Sequence, residues 1–337
     1  MTKFKFKYID EDGDPQGFFY KKGHFDKAVL VLKDDTLPVT AIGNLEVRKN
    51  VMVISVLNQH DQVDHITLQV SGISAEKLKC VIDLARSGAW AAEEKVELES
   101  KGLGHLYRDT ECRHCSATIS LSRLPVTPQL YCNFCDTLTT IDNRVNTPKD
   151  EKDCKLCDDC GMFSKTRKFT IFYFYFLIFF YGFTSRPTWR CAGCMRGDAW
   201  KMFFGNLIFI LGVPTAIIQL VRSYTGSVTG AFAGLDKANL MNRKGKTKDA
   251  FKIYQNISKN VPVSAGIKYN IALNLIDTAP DLALDSLELA YADCSNYPPV
   301  FNALCHCYTE QQHSDKLNEI KEQWGVSDGP PSLAQEL

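Results

Sequence analysis

The stretch CKLCDDCGMFSKTRKFTIFYFYFLIFFYGFTSRPTWRCAGC, residues 154–194, decides how this chain folds. Cysteine pairs flank it, and between them residues 169–183 form an aromatic run without a charge. Two readings of that run exclude each other. If it crossed a membrane, Cys157/Cys160 and Cys191/Cys194 would face opposite sides and could not share a metal ion. If the pairs share a zinc ion, the run must return to the side it left. Phe, Tyr, Ile and Thr are strand formers, which suits a β-hairpin. Turn residues after Lys168 come only at 182–187, so such a hairpin would have unequal arms. The cysteine spacing is the more specific signal, and a shared zinc is the expectation. Gly161, directly after Cys160, supplies the positive φ that a zinc knuckle often needs. Cys154 is then a spare thiol or an alternative ligand.

A second quartet precedes this one. Cys112-Arg-His-Cys115 and Cys132-Asn-Phe-Cys135 are separated by sixteen residues. Each C-x-x-C turn presents two sulfurs on one side of a tight knuckle, and structural zinc takes four such ligands. The spacer leaves room for two short strands, expected at Ile119–Leu121 and Gln129–Tyr131. The stretch resembles a zinc ribbon. Cysteine fills every ligand position, so a structural ion is expected and His114 is expected to face solvent. Across all 13 cysteines, close pairs in a long chain speak for metal knuckles rather than a disulfide scaffold. Thiolates must stay reduced to bind zinc, which places the ribbons in the cytosol. The start, MTKFKFKYID, shows no apolar leader segment.

Beyond the last knuckle, Met202–Val221 is uncharged and twenty residues long, with Trp200 and Tyr224 near its ends. That length and those aromatic ends predict a membrane-spanning or re-entrant helix, with Pro214 as a point of kinking. From Cys157 to Arg222 the chain resembles prokaryotic membrane proteins in which a zinc ribbon leads into an apolar segment with a Gly-x-Pro step, here Gly212-Val213-Pro214. Basic residues on the two sides of the segment balance, so the positive-inside rule gives no orientation. The reduced cysteines Cys294, Cys305 and Cys307 beyond it favour a segment that turns back, with both flanks cytosolic.

Toward the N-terminus, Phe4, Phe6 and Tyr8 alternate with lysines, the period of a half-buried strand. Further strands are expected at Ala28–Leu32, Val51–Leu57 and Ile66–Val70. Ser74 caps a helix whose apolar positions are Leu78, Val81, Ile82, Ala85 and Ala89. Several strands closed by one C-terminal helix resemble the pleckstrin-homology-like fold. IDNRVNTPKDEKD, residues 141–153, reads as a polar tether.

Toward the C-terminus, Ala250, Tyr254 and Pro262 recur as Ala283, Leu287 and Pro298, offsets of 33 to 36 residues. With Tyr269, Ala272 and Ala290 they resemble tetratricopeptide repeats, which implies stacked helix pairs and a concave surface for partner proteins. Cys305-His306-Cys307 falls inside this helical pattern and is expected to be part of it, not a ligand set.

The fold class expected is therefore multidomain α+β. A small β domain (1–95) precedes a zinc ribbon (108–140) and a second ribbon with an apolar insert (152–200). A membrane segment (201–222) and an α-helical repeat domain (235–325) follow. The metal ligands expected are Cys112, Cys115, Cys132, Cys135, Cys157, Cys160, Cys191 and Cys194, holding two structural Zn2+ ions. Basic and acidic residues balance at 39 each, which argues against a nucleic-acid partner. With no nucleophile–base pair and no phosphate-binding glycine loop, no enzyme and no small-molecule substrate are expected. The function expected is a membrane-anchored adaptor that contacts lipid and binds proteins through 235–325. The alternatives are a transcription-linked nucleic-acid-binding ribbon and a thiol-dependent redox or transport component.

Overall fold

A computed structural model describes every residue except 11, 12, 34, 58–61, 143, 146, 147, 149, 150, 178, 179, 207–212, 226–229 and 327–337. At 57, 170–177, 180–187, 206 and 215 it describes the backbone alone. The chain divides into two units, Met1–Arg123 with Lys321–Leu337, and Leu124–Ile320.

In the first unit, β1 (Thr2–Tyr8), β2 (Lys21–Asp26), β3 (Val29–Leu32), β4 (Asp35–Pro38), β5 (Ile42–Arg48), β6 (Val51–Leu57) and β7 (Val63–Ser71) form one antiparallel sheet. Its order is β4-β3-β2-β1-β7-β6-β5. Alternation in β1 sends Phe4 and Phe6 into a core with Leu30, Leu32, Met52, Ile54 and Leu68. The helix α1 (Ala75–Ser100) covers that core with Leu78 and Ile82, both fully buried. Ser74 caps it as expected, its hydroxyl accepting from Lys77 N at 3.2 Å. Two short strands, β8 (Asp109–Glu111) and β9 (Thr118–Ser120), pair with each other after it.

The second unit begins with β10 (Gln129–Cys132) paired to β11 (Thr137–Thr140), then β12 (Cys154–Leu156) paired to β13 (Phe163–Lys165). The expected tether between them does more than connect. Glu151 is 4% exposed. Its carboxylate accepts from Gln129 Nε2 at 2.7 Å, Thr140 N at 2.9 Å and Thr140 Oγ1 at 2.7 Å. A charge in a polar run is here the buried pin between β10 and β11.

The aromatic run is a β-hairpin. Strand β14 (Arg167–Leu177) pairs with β15 (Phe180–Arg190) from Arg167↔Arg190 to Leu177↔Phe180. Both arms are eleven residues long, against the expected unequal arms with a turn at 182–187. Strand formers pair as far as they extend, and Gly182 is held within β15 opposite Tyr175.

The membrane segment does not survive. Among the described residues no helix is long and apolar enough to cross a membrane. Met202–Asn206 ends α2 (Ala192–Asn206), a fifteen-residue helix that also carries Arg196, Asp198 and Lys201. Val213–Val221 belongs to α3 (Val213–Tyr224), twelve residues long, and a bilayer needs roughly 20. Gly212, part of the expected turn-back, lies outside the described residues. Pro214 sits in the first turn of α3, where its missing N–H leaves no helical bond unmade, so it marks a helix start and not a kink. Met202 and Ala216 of the run serve a small core instead, with Met195 and Ala199 of α2 and Phe169 of β14, while Phe204, Ile217, Ile218 and Val221 are exposed. The expected fold class with a membrane segment, and the expected membrane location with ribbons toward the cytosol, are corrected on this finding.

Helices complete the chain: α4 (Leu235–Arg243), α5 (Thr247–Asn260), α6 (Ala265–Leu275), α7 (Pro280–Asp293), α8 (Pro298–Glu310) and α9 (Ser314–Gln323). Prolines open α7 and α8 at positions that need no N–H. Cys305, His306 and Cys307 are consecutive residues of α8, with Cys307 buried.

Candidate metal centres

Two quartets of cysteine come together. Cys112, Cys115, Cys132 and Cys135 form one and Cys157, Cys160, Cys191 and Cys194 the other, and within each all sulfurs lie within 4.8 Å of one another. A tetrahedral ion with metal–sulfur bonds near 2.3 Å requires sulfur–sulfur edges of about 3.8 Å. The Cys160–Cys191 separation is 3.9 Å. None of the thirteen cysteines is in a disulfide. Four thiolates at this spacing fit a divalent metal ion, and four ligands close its coordination shell.

The knuckles share one backbone device. The fourth residue after the first cysteine donates its N–H back to that cysteine's carbonyl: Ser116 to Cys112 at 2.8 Å, Asp136 to Cys132 at 2.8 Å, and Gly161 to Cys157 at 2.8 Å. These three residues have φ of 61°, 57° and 67°. Gly161 takes the left-handed conformation expected of it, and Ser116 and Asp136 do the same at a steric cost. The fourth knuckle differs. Met195 donates to Cys191 at 3.0 Å, but here the bond is the opening of α2, so a helix start presents Cys191 and Cys194. N–H groups also point at sulfur, from His114 to Cys112 at 3.4 Å and from Cys191 to Cys157 at 3.3 Å. His114 is exposed.

The hairpin explains how Cys191 and Cys194 reach Cys157 and Cys160. Thirty residues separate the pairs, yet β15 returns the chain to the base of β14. Two hydrogen bonds, one of them backbone to backbone, join that base to the first knuckle. Asp158 N donates to Trp189 O at 2.9 Å, and Trp189 N donates to the Asp158 carboxylate at 2.7 Å. Hydrogen bonds from Cys160, Cys191 and Cys194 pull the Cys157 thiol far down, while Cys191 and Cys194 are pushed up by their bonds to Cys157 and Cys160. A bound dication would relieve that crowding by neutralising part of the thiolate charge.

Residues outside the cysteines complete this centre. Arg243, from α4, donates to Cys194 Sγ at 2.7 Å and lies 3.8 Å from Asp159. Arg190 pairs with Asp198 and lies 3.5 Å from Asp159. Asp158 and Asp159 are thus tied to the hairpin and to two arginines. Cys154 is fully buried in β12, outside the quartet.

The helical region holds both ribbons through asparagines, two on helices and one, Asn296, in the turn between α7 and α8. Asn270 accepts from Phe163 N at 2.9 Å and donates to Phe163 O at 2.7 Å, reading one residue of β13 as a neighbouring strand would. Asn296 does the same to Tyr131 in β10, accepting from its N at 2.9 Å and donating to its O at 2.7 Å. Asn239 also donates to Phe163 O, at 3.0 Å, and is itself held by the Tyr254 hydroxyl at 2.7 Å. The Phe163 ring is packed so closely on α6 that a Cβ at Gly266 would meet it at 2.4 Å. None of these residues was expected from sequence. Asn239 and Asn270 stand 31 positions apart, close to the repeat offset, and that spacing of buried amides was the one available signal. Arg243 carried none, since it sits in a basic run that reads as solvated.

The chain matches no family model, no curated protein and no solved structure.

Proposed function

We propose that the chain is a non-catalytic, zinc-stapled adaptor that binds partner proteins through its C-terminal helices. The observation that carries this reading is the completeness of both cysteine quartets. Zinc suits four thiolates at tetrahedral spacing, and a shell filled by protein leaves no position for a water or substrate. The chemistry zinc supplies there is cross-linking, and Cys112, Cys115, Cys132, Cys135, Cys157, Cys160, Cys191 and Cys194 would hold the two ions. The tetratricopeptide-like reading of 235–325 draws support from the repeat positions, since Ala250, Tyr254, Ala283, Leu287 and Ala290 are all fully buried. The sheet of seven strands closed by α1 supports the pleckstrin-homology-like reading of 1–95.

Asn239 of α4, Asn270 of α6 and Asn296 of the turn between α7 and α8 grip the ribbons, so the partner surface falls elsewhere on the helices. A groove of about 400 Å³ runs along α5, α6 and α7, floored by Phe251, Ile271, Leu275 and Leu282 and rimmed by Lys259 and Asp285. Leu282 is 54% exposed beside the other apolar residues of the groove, and apolar surface facing water gains by being covered. A photo-cross-linking residue placed at Leu282 tests the reading. The expected result is a cross-linked protein whose complex re-forms from purified components and is lost with Leu275→Lys. A complex indifferent to Leu275→Lys would remove the groove from the account.

A further inference from the structure

We propose that a cavity in the second unit binds a quaternary ammonium group, the chemistry carried by a trimethylated lysine side chain or by free choline. The cavity has a volume of about 250 Å³, and its walls include Tyr131, Asp136, Lys155, Asp158, Trp189 and Tyr297. It is separate from the groove on α5–α7 and does not depend on the adaptor reading.

Three observations set the ligand class. The walls are aromatic. Trp189 keeps 43% of its surface exposed between the buried Thr188 and Arg190, and the Tyr131 and Tyr297 rings lie 5.2 Å apart at 48°. Aromatic faces attract cations through the ring quadrupole. The cavity already demonstrates this preference, because the Lys155 ammonium lies 4.8 Å from the centre of the Trp189 ring. Lys155 is in effect a tethered ligand, held by its bond to Cys135 O at 2.8 Å.

The charge around the cavity is negative, with Asp136 and Asp158 against Lys155 alone among its lining residues. Finally, the polar groups of the cavity each hold a fixed donor. Asp136 takes the Tyr131 hydroxyl at 3.2 Å, Asp158 takes Trp189 N at 2.7 Å, and Cys135 O takes Lys155. A primary ammonium entering from solvent must replace the N–H bonds to water that it gives up. A quaternary ammonium has no N–H to satisfy and needs only aromatic surface and nearby negative charge.

The position of Lys155 sets the sign of the decisive experiment. If it competes for the cavity, removing its charge while keeping its stem must improve binding. Calorimetry on the full chain with tetramethylammonium, choline and a peptide carrying one trimethyllysine provides the readout. The neutral isostere 3,3-dimethylbutanol and the unmethylated peptide are the controls. The expected results are saturable binding of the cations, about tenfold tighter in Lys155→Met and about tenfold weaker in Trp189→Leu. Preference for the peptide over choline assigns the site to a protein modification, and the reverse assigns it to the small molecule. Equal binding of the neutral isostere, absence of binding by every cation, or Lys155→Met no tighter than wild type would overturn the proposal. Should Trp189→Leu fail to fold, the Lys155→Met comparison decides alone.

Discussion

The first cysteine quartet lies on two short hairpins, with sixteen residues between its pairs. The second is reached by a thirty-residue excursion through β14 and β15, and its last two ligands come from the start of a helix. Both quartets have the sulfur spacing of one tetrahedral ion. They differ in what a bound ion would organise. In the first, the ion would close a ribbon whose local backbone is already set by the Ser116 and Asp136 knuckles. In the second, it would join the base of a hairpin, the opening of α2 and, through Arg243, the helix α4. The same donor set is thus a clip across a sixteen-residue spacer in one place and a joint across thirty residues in the other.

Removing an ion should therefore have unequal consequences. Structural zinc contributes on the order of 10 kcal/mol to folding of the element that holds it. Cys132→Ser is expected to raise hydrogen exchange over residues 109–140. Cys191→Ser is expected to raise it over 154–206 and also in α4 and α6, which meet the second ribbon at Arg243, Asn239 and Asn270. If Cys191→Ser left α4 and α6 protected, the joint would be no more than another clip.

A smaller effect comes from Gly266. Glycine to alanine inside a helix ordinarily stabilises by about 1 kcal/mol. Here the new Cβ would strike the buried Phe163 ring, and the sign is expected to reverse to a loss of about 2 kcal/mol. Denaturant unfolding measures it, and a stabilised Gly266→Ala would mean that β13 does not seat on α6 as described.

Asn270→Ala should cost about 2 kcal/mol, because it strands the buried N–H of Phe163 while Asn239 still serves the carbonyl. Asn296→Ala should cost a similar amount at Tyr131 of the first ribbon. Equal protection of both ribbons in both variants would separate the asparagine grip from ribbon stability. Ser74→Ala, the smallest expected effect at about 1 kcal/mol, removes the cap of α1 in the first unit and should leave metal content unchanged.

How much of this was readable in the sequence follows the same contrast. Local patterns were legible. Alternation at Phe4 and Phe6, the cap at Ser74, the left-handed Gly161 and the four C-x-x-C pairs each depend on residues near one another in the chain. The burial of Ala250, Tyr254, Ala283 and Leu287 was legible for the same reason, since a helical period exposes which residues face inward. What escaped needed a distant partner. Glu151 looked like part of a solvated charge run until Gln129 and Thr140 closed around it. Arg243 looked like a surface cation until Cys194 lay beside it. The Met202–Val221 run was misread because hydropathy reports how apolar a segment is but not what covers it. Two short helices use Met202 and Ala216 of the run in a small core with Phe169 and leave Phe204, Ile217, Ile218 and Val221 exposed.

Metal analysis of the purified chain tests the central claim most directly. Two zinc ions per chain are expected in the wild type, and one each in Cys132→Ser and Cys157→Ser, each variant keeping the ion of the untouched quartet. A wild-type chain with one zinc or none would contradict the account.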